Sequence, residues 1–205
     1  MNVLVLGAAG KTGDLVVEKA HAAGHTVTAF VHSPDFHKLG VRILTGDAAN
    51  PDQVRQAVQG QDAVIDTIGG KTPYKATDLE TSTARNLIAA MQAQGVRRLL
   101  VISMMGIGDS AEQAPFWYEH LLMPTFLRGS TPDKTHMEET VKAGGIDYII
   151  ARPPLLTDDP ATGSYQIIPA PTKAHKITRA DLAQFLVDQL TADTYRNQAV
   201  VVANS

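Results

Sequence analysis

Short apolar runs alternate along this chain with longer segments in which apolar residues recur every three or four positions. The runs predict strands at Asn2–Leu6, Thr26–Val31, Val41–Thr45, Ala63–Ile68, Arg97–Ser103, Ile146–Ala151 and Ala199–Ala203. The segments between them predict helices over Thr12–Ala23, from Asn50-Pro51 to about Gln59, over Asp78–Gln94, from Thr131-Pro132 to Ala143, and from Thr178 through Leu190. Asn50 followed by Pro51 is a helix start, an N-cap residue with proline at the first helical position. Thr178 with Asp181 three residues on resembles a capping box, with aspartate where glutamate is usual. Several strands are continuously apolar, so both of their faces are covered, and strands alternating with helices imply a doubly wound parallel sheet. Ligands of such sheets bind beyond the carboxyl ends of the strands, where the strand order switches.

The longest stretch without a clear period is Met104–Ser130, after the fifth strand. It holds Phe116, Trp117 and Tyr118 and then two further apolar clusters. A loop of this length at the ligand edge reads as a substrate loop over about 104–131, either a lid or a dimer contact. A partly helical excursion that packs its own small cluster explains the same pattern.

Composition narrows the picture. The 205 residues fit one α/β domain spanning 1–205, and 44% hydrophobic with 19% charged residues is ordinary for a globular protein. A net charge of −3 gives no reason to expect nucleic acid or an acidic membrane as a partner. With no cysteine, disulfides, thiolate metal sites and cysteine nucleophiles are excluded. His21 and His25 have helical metal-ligand spacing, but Gly24 is expected to end the helix between them, so no metal site is inferred. The first strand begins at Asn2, with no room for a signal peptide, and no apolar run approaches membrane-spanning length. The expected location is cytoplasmic.

The chemistry begins at the first turn. Gly7, Gly10 and Gly13 follow the first strand at three-residue intervals. Gly7 can take backbone angles closed to other residues. Gly10 has no side chain to hold a pyrophosphate off the backbone, and Gly13 lets the following helix lie close on the strand. The free N–H groups and positive dipole of that helix end favour a phosphate. A glycine triplet is weak evidence alone; after a strand and before an amphipathic helix it points to a dinucleotide.

The segments GAAGKTG, GDAAN, DTIGG, ARPPLLTDDPATGSY and ITRADLAQFLVDQL together resemble the atypical short-chain dehydrogenase/reductases. Within them, the chain is similar to the NAD(P)H-binding proteins that include biliverdin reductase B and the NmrA-like regulators. The resemblance covers nearly the whole chain and implies a seven-stranded Rossmann sheet carrying NADP or NAD. The candidate cofactor residues in the first loop are Gly7, Ala9, Gly10, Lys11, Thr12 and Gly13. At the end of the second strand an acid would favour NAD. Here the chain reads His32-Ser33, both able to donate to a 2′-phosphate, with Lys11 as a nearby cation, so NADP is favoured. Asp35, just beyond, would support NAD if the turn folds back. Asp47 and Ala48 stand where relatives meet the adenine, although Asp47 also suits a plain turn. Ile68, Gly69 and Gly70 stand where relatives pass close to the ribose and pyrophosphate. Pro153, Pro154 and Leu155 stand where the backbone nears the nicotinamide, with Arg152 before them as a structural anchor. Asp158-Asp159 read as solvated turn acids.

Catalytic members of the wider superfamily use Tyr-x-x-x-Lys and a serine after the fifth strand. The matching lysine is Lys134, but four residues earlier stands Ser130. An aliphatic hydroxyl is a poor proton donor in that role, which leaves Lys134 as a candidate ribose ligand. Ser103 is the candidate serine, although the better-matched position holds Met104. Tyr118 could bring a phenol from the loop. These features favour hydride transfer to a small planar acceptor such as a flavin or quinone, chemistry that needs little beyond a bound donor beside a flat, apolar site. The competing reading is a non-catalytic dinucleotide sensor that acts on a protein partner; a sugar epimerase is disfavoured by the missing tyrosine. Monomer and homodimer are both open.

Overall fold

The computed structural model describes residues 1–70 and 72–204. Strands β1 (Asn2–Leu6), β2 (Thr26–Val31) and β3 (Arg42–Thr45) are joined through helix α1 (Lys11–Ala22) and a loop. Helix α2 (Pro51–Val58) leads to β4 (Ala63–Asp66), and α3 (Leu79–Gln94) to β5 (Arg98–Ile102). Helix α4 (Ser130–Ala143) precedes β6 (Asp147–Arg152). Short strands β7 (Leu155–Thr157), β8 (Gln166–Ile167) and β9 (Lys176–Thr178) follow, then α5 (Arg179–Asp188) and β10 (Gln198–Ala203).

The main sheet runs β3-β2-β1-β4-β5-β6-β10-β8. Its first seven strands are parallel and are the seven expected from the sequence; β8 adds an antiparallel edge against β10. A separate parallel pair joins β7 to β9. All three short strands fall below the length at which a two-residue period shows in a sequence. The chain leaves β1 in one direction through β2 and β3, and in the other through β4, so the switch point lies between the carboxyl ends of β1 and β4.

Side-chain alternation splits the core into two layers. Val3 and Val5 of β1 face Val16, Val17 and Ala20 of α1 and Leu182 and Phe185 of α5. Leu4 and Leu6 face the other layer, with Val54 of α2, Leu87 and Met91 of α3, and Met137 and Val141 of α4. Both helix starts read from the sequence form. The Asn50 side chain accepts hydrogen bonds from Asp52 N and Gln53 N, and Thr178 Oγ1 accepts from Asp181 N. Helix α3 starts differently: its N-cap Asp78 makes no side-chain cap bond, and Asp133 of α4 accepts from Glu80 N at 3.0 Å and Thr81 N at 2.9 Å instead.

The stretch after β5 contains a 3₁₀ turn at Gly108–Gln113 and a π turn at Tyr118–Leu122. It builds its own cluster, with Met105, Ile107, Ala114 and Tyr118 packed on Ile168 and Val201. Thus the excursion is partly helical and self-packing, and it also walls the cavity described next.

Candidate functional site

The three glycines do three different things. Gly7 takes φ +71°, and a Cβ there would come within about 3 Å of Thr67 and Ile68 N. At Gly13 a Cβ would lie 2.2 Å from Gly7 O, so the absence of a side chain lets α1 sit against the turn. Gly10 has only Gly7 O nearby, at 3.1 Å, and otherwise borders open space. Gly10 also N-caps α1 without a side-chain cap bond, so the first-turn N–H groups face a cavity rather than a protein acceptor.

That cavity has a volume of about 730 Å³. Gly10, Lys11, Thr12 and Gly13 form one end, and Ile68, Gly69 and Gly70 form a side. Ser103, Lys134, Ser130 and Pro153, Pro154 and Leu155 come from the ends of β5, α4 and β6. The far wall is apolar: Met104, Tyr118, Leu122, Phe126 and Leu127 from the excursion, with Pro73. Trp117, by contrast, is 42% exposed and is not in this wall, because the π turn faces Tyr118 inward and Trp117 outward. A sequence without periodicity gave no means of choosing between the adjacent aromatics.

A second groove lies on the other side of the first loop, bordered by Ala9, Gly10, Lys11, Asp35 and His37. His32 and Ser33 line neither space. His32 is exposed, and Ser33 donates to Asp35 Oδ2 at 2.9 Å. Asp47 makes a turn, accepting from Ala49 N, and Ala48 packs its methyl into the core. Gly7 lies beneath the loop rather than in a wall. Lys11 is ion-paired with Asp158, which also binds Arg179, so this turn acid has two cationic partners.

Lys134 is not a solvated helix lysine. Its Nζ lies 2.5 Å from Glu80 Oε2 and 3.4 Å from Ile102 O, with both side chains largely buried. Asp66, at the end of β4, accepts from Ile68 N at 2.9 Å. Burial pushes its carboxyl up to about 7, with repulsion from Glu80 adding to the rise and the Ile68 N–H and Lys134 opposing it. Ser103 is buried and its Oγ has no hydrogen-bond partner among the described residues. Burial raises the Tyr118 phenol to about 12, so it keeps its proton throughout the working range. Ser130 Oγ donates to Leu127 O.

Arg152 is the anchor expected from the sequence. It is 1% exposed and binds Glu138 with two bonds, at 2.9 and 2.6 Å, and Asp109 at 2.5 Å. Burial raises the Glu138 carboxyl, but the Arg152 bonds outweigh it and hold the group below the usual range. This bidentate pair ties β6 to α4 and so fixes the helix that carries Lys134.

Glu80, Asp66 and Thr67 were not foreseen, and neither was which side chains of the expected apolar loop line the cavity. Glu80 reads locally as a first-turn acid that suits the helix dipole, and nothing in its neighbours in sequence points to Lys134, 54 positions away.

A glycine cradle at the switch point, an uncapped helix N-terminus aimed into a cavity and a lysine at its far end are features that fit a dinucleotide, on a Rossmann-like sheet. Residues 7–193 match the family described as NAD(P)H-binding. The chain belongs to that family. Among curated proteins it is 30% identical to the uncharacterized chloroplastic protein At2g34460 of Arabidopsis thaliana, over 92% of this chain and 71% of that one. Among solved structures it is similar to ChuY, an anaerobillin reductase from Escherichia coli O157:H7, with TM-score 0.80, 25% identity and 99% and 97% of the two chains covered. A short-chain dehydrogenase/reductase from Veillonella parvula in complex with NADP shares the fold, with TM-score 0.80 at 18% identity over 99% and 94% of the chains. No helix among the described residues is long and apolar enough to cross a membrane.

Proposed function

We propose that this protein is an NAD(P)H-dependent reductase that passes a hydride to a small planar acceptor such as a flavin or quinone, with NADP the preferred dinucleotide. The carrying observation is the cavity's two-sided chemistry. Backbone N–H groups at one end and the Lys134 ammonium at the far end are offered to a dinucleotide; the wall of Met104, Leu122, Phe126 and Leu127 offers a flat apolar surface to an acceptor. The bound dinucleotide supplies the hydride. On this reading Gly10, Lys11, Thr12 and Gly13 hold the pyrophosphate, Ile68–Gly70 and Lys134 the ribose beyond it, and Pro153–Leu155 the nicotinamide. His32, Ser33, Asp47 and Ala48 bear on the adenosine end from outside the cavity. The likeness to ChuY, an anaerobillin reductase, supports a reductase.

A second reading, a dinucleotide sensor that acts on a protein partner, is favoured by Ser130 in the tyrosine position and by exposed Phe116, Trp117 and Leu121. Absorbance at 340 nm separates the two. NADPH should be oxidised with riboflavin, FMN or menadione and hardly at all with simple ketones. Tight NADPH binding with no turnover on any acceptor in the panel would replace the reductase with the sensor.

A further inference from the structure

Glu80 is a fully buried acid with no part in the reading above, and it sits where three elements meet. Its Oε2 accepts from Lys134 Nζ at 2.5 Å, and its Oε1 accepts, at 3.4 Å, from the N–H of Gly70, in the glycine turn after β4. Its own backbone N–H is held by Asp133, the neighbour of Lys134 in sequence. Thr81 adds two bonds to the same carboxylate, from its N–H at 2.9 Å and its Oγ1 at 2.7 Å. The start of α3 and the first turn of α4 are therefore pinned to each other twice, once by Asp133 and once by Glu80.

We infer that Glu80 is a positioning residue: it holds the Lys134 ammonium at the nicotinamide end of the cavity and ties it to the Gly69-Gly70 turn, so both reach a bound dinucleotide as one preset unit. The inference rests on the dinucleotide reading of the cavity. Physically, Lys134 is a four-carbon stem whose rotamer freedom would be lost on binding. A carboxylate 2.5 Å away removes that freedom beforehand. Asp66 is the other acid near the ammonium, but its raised affinity for a proton leaves Glu80 as the principal counter-charge. Among the described residues, Glu80 and Ile102 O use two of the three ammonium protons, which leaves one to donate into the cavity that Lys134 lines.

The test compares two ligands. NADPH spans the whole site, whereas 2′,5′-ADP lacks the nicotinamide half. Glu80→Gln keeps the size of the side chain and removes its charge. It should weaken NADPH by about tenfold, the scale of one charge-assisted hydrogen bond, and leave 2′,5′-ADP within twofold. Lys134→Met should show the same split, and the double variant should bind NADPH no worse than Lys134→Met alone. If Glu80→Gln does not fold, the double variant, which leaves no unpaired charge in this ion pair, carries the comparison: it should match Lys134→Met on NADPH and the unaltered protein on 2′,5′-ADP. Equal weakening of both ligands, an additional tenfold loss on top of Lys134→Met, or unchanged NADPH binding in Glu80→Gln would overturn the positioning role. Failure of the unaltered protein to bind NADPH would overturn the dinucleotide reading itself.

Discussion

The two ends of the cavity are made of different material. The end at the first loop is backbone: Gly10 and Gly13, the uncapped first turn of α1, and the Gly69-Gly70 turn. The wall formed by residues 104–127 is side chain: Met104, Tyr118, Leu122, Phe126 and Leu127, brought in by a 3₁₀ turn and a π turn. A backbone surface presents the same N–H groups whatever residues surround it, so it suits a constant ligand. A side-chain surface changes with each substitution, so it suits a ligand that differs from one protein to the next. On the proposed reading the dinucleotide belongs to the first end and selectivity for the acceptor to the second.

The largest expected effect lies where the backbone end has no slack. A methyl at Gly13 would stand 2.2 Å from Gly7 O and 2.7 Å from the Thr67 side-chain Oγ1, and the Gly7 backbone cannot yield without moving α1 off β1. Gly13→Ala should cost about 2–4 kcal/mol of stability in urea unfolding, the scale of severe overpacking. A loss below about 0.5 kcal/mol would show that the loop is looser than its geometry.

Next in size is Asp66, buried at the end of β4. Its carboxyl is raised from 3.8 to about 7 in the folded state. Below pH 4 both states hold the proton and the group contributes nothing. From about pH 4 to 7 the unfolded chain releases the proton while the folded one keeps it, so stability falls as pH rises, and above 7 the deficit is constant. Asp66→Asn removes this deficit. The variant should match its parent near pH 4 and exceed it by about 1–3 kcal/mol at pH 8, by thermal or urea melts. A difference that did not grow with pH would contradict the raised value.

How far each end could be read from the sequence follows from the same contrast. The glycine turn was legible because its spacing is local: strand, turn and helix lie within Asn2–Ala22. The seven parallel strands were legible because their apolar runs are continuous and flanked by helical periods. The strands β7, β8 and β9 were not, being two or three residues long. At the other end, the choice of Tyr118 over Trp117 depends on a π turn, and Glu80 meets Lys134 only because α3 and α4 pack side by side. Arg152 was legible as an anchor, but its partners Glu138 and Asp109 were not.

The smallest effect concerns His32, which is exposed and outside both spaces. If it meets a 2′-phosphate when the dinucleotide binds, His32→Arg should tighten NADP relative to NAD by a few-fold, because guanidinium pairs bidentately and stays charged. His32→Asp should reverse the ratio. An NADP/NAD affinity ratio unchanged in both variants would place His32 away from the ribose and shift attention to Lys11 and His37 in the second groove.

The division of labour between the two ends is tested most directly at Gly10, where the glycine leaves space for a ligand rather than for packing. A Cβ there meets only Gly7 O, at 3.1 Å, so Gly10→Val should fold with a melting temperature close to that of the parent. Calorimetric titration with NADPH should then show binding to the parent and a loss of at least about a hundredfold in the variant, on the order of 2.7 kcal/mol. Equal affinity of the two proteins for NADPH would contradict the account, because the dinucleotide would then lie somewhere other than on the glycine loop.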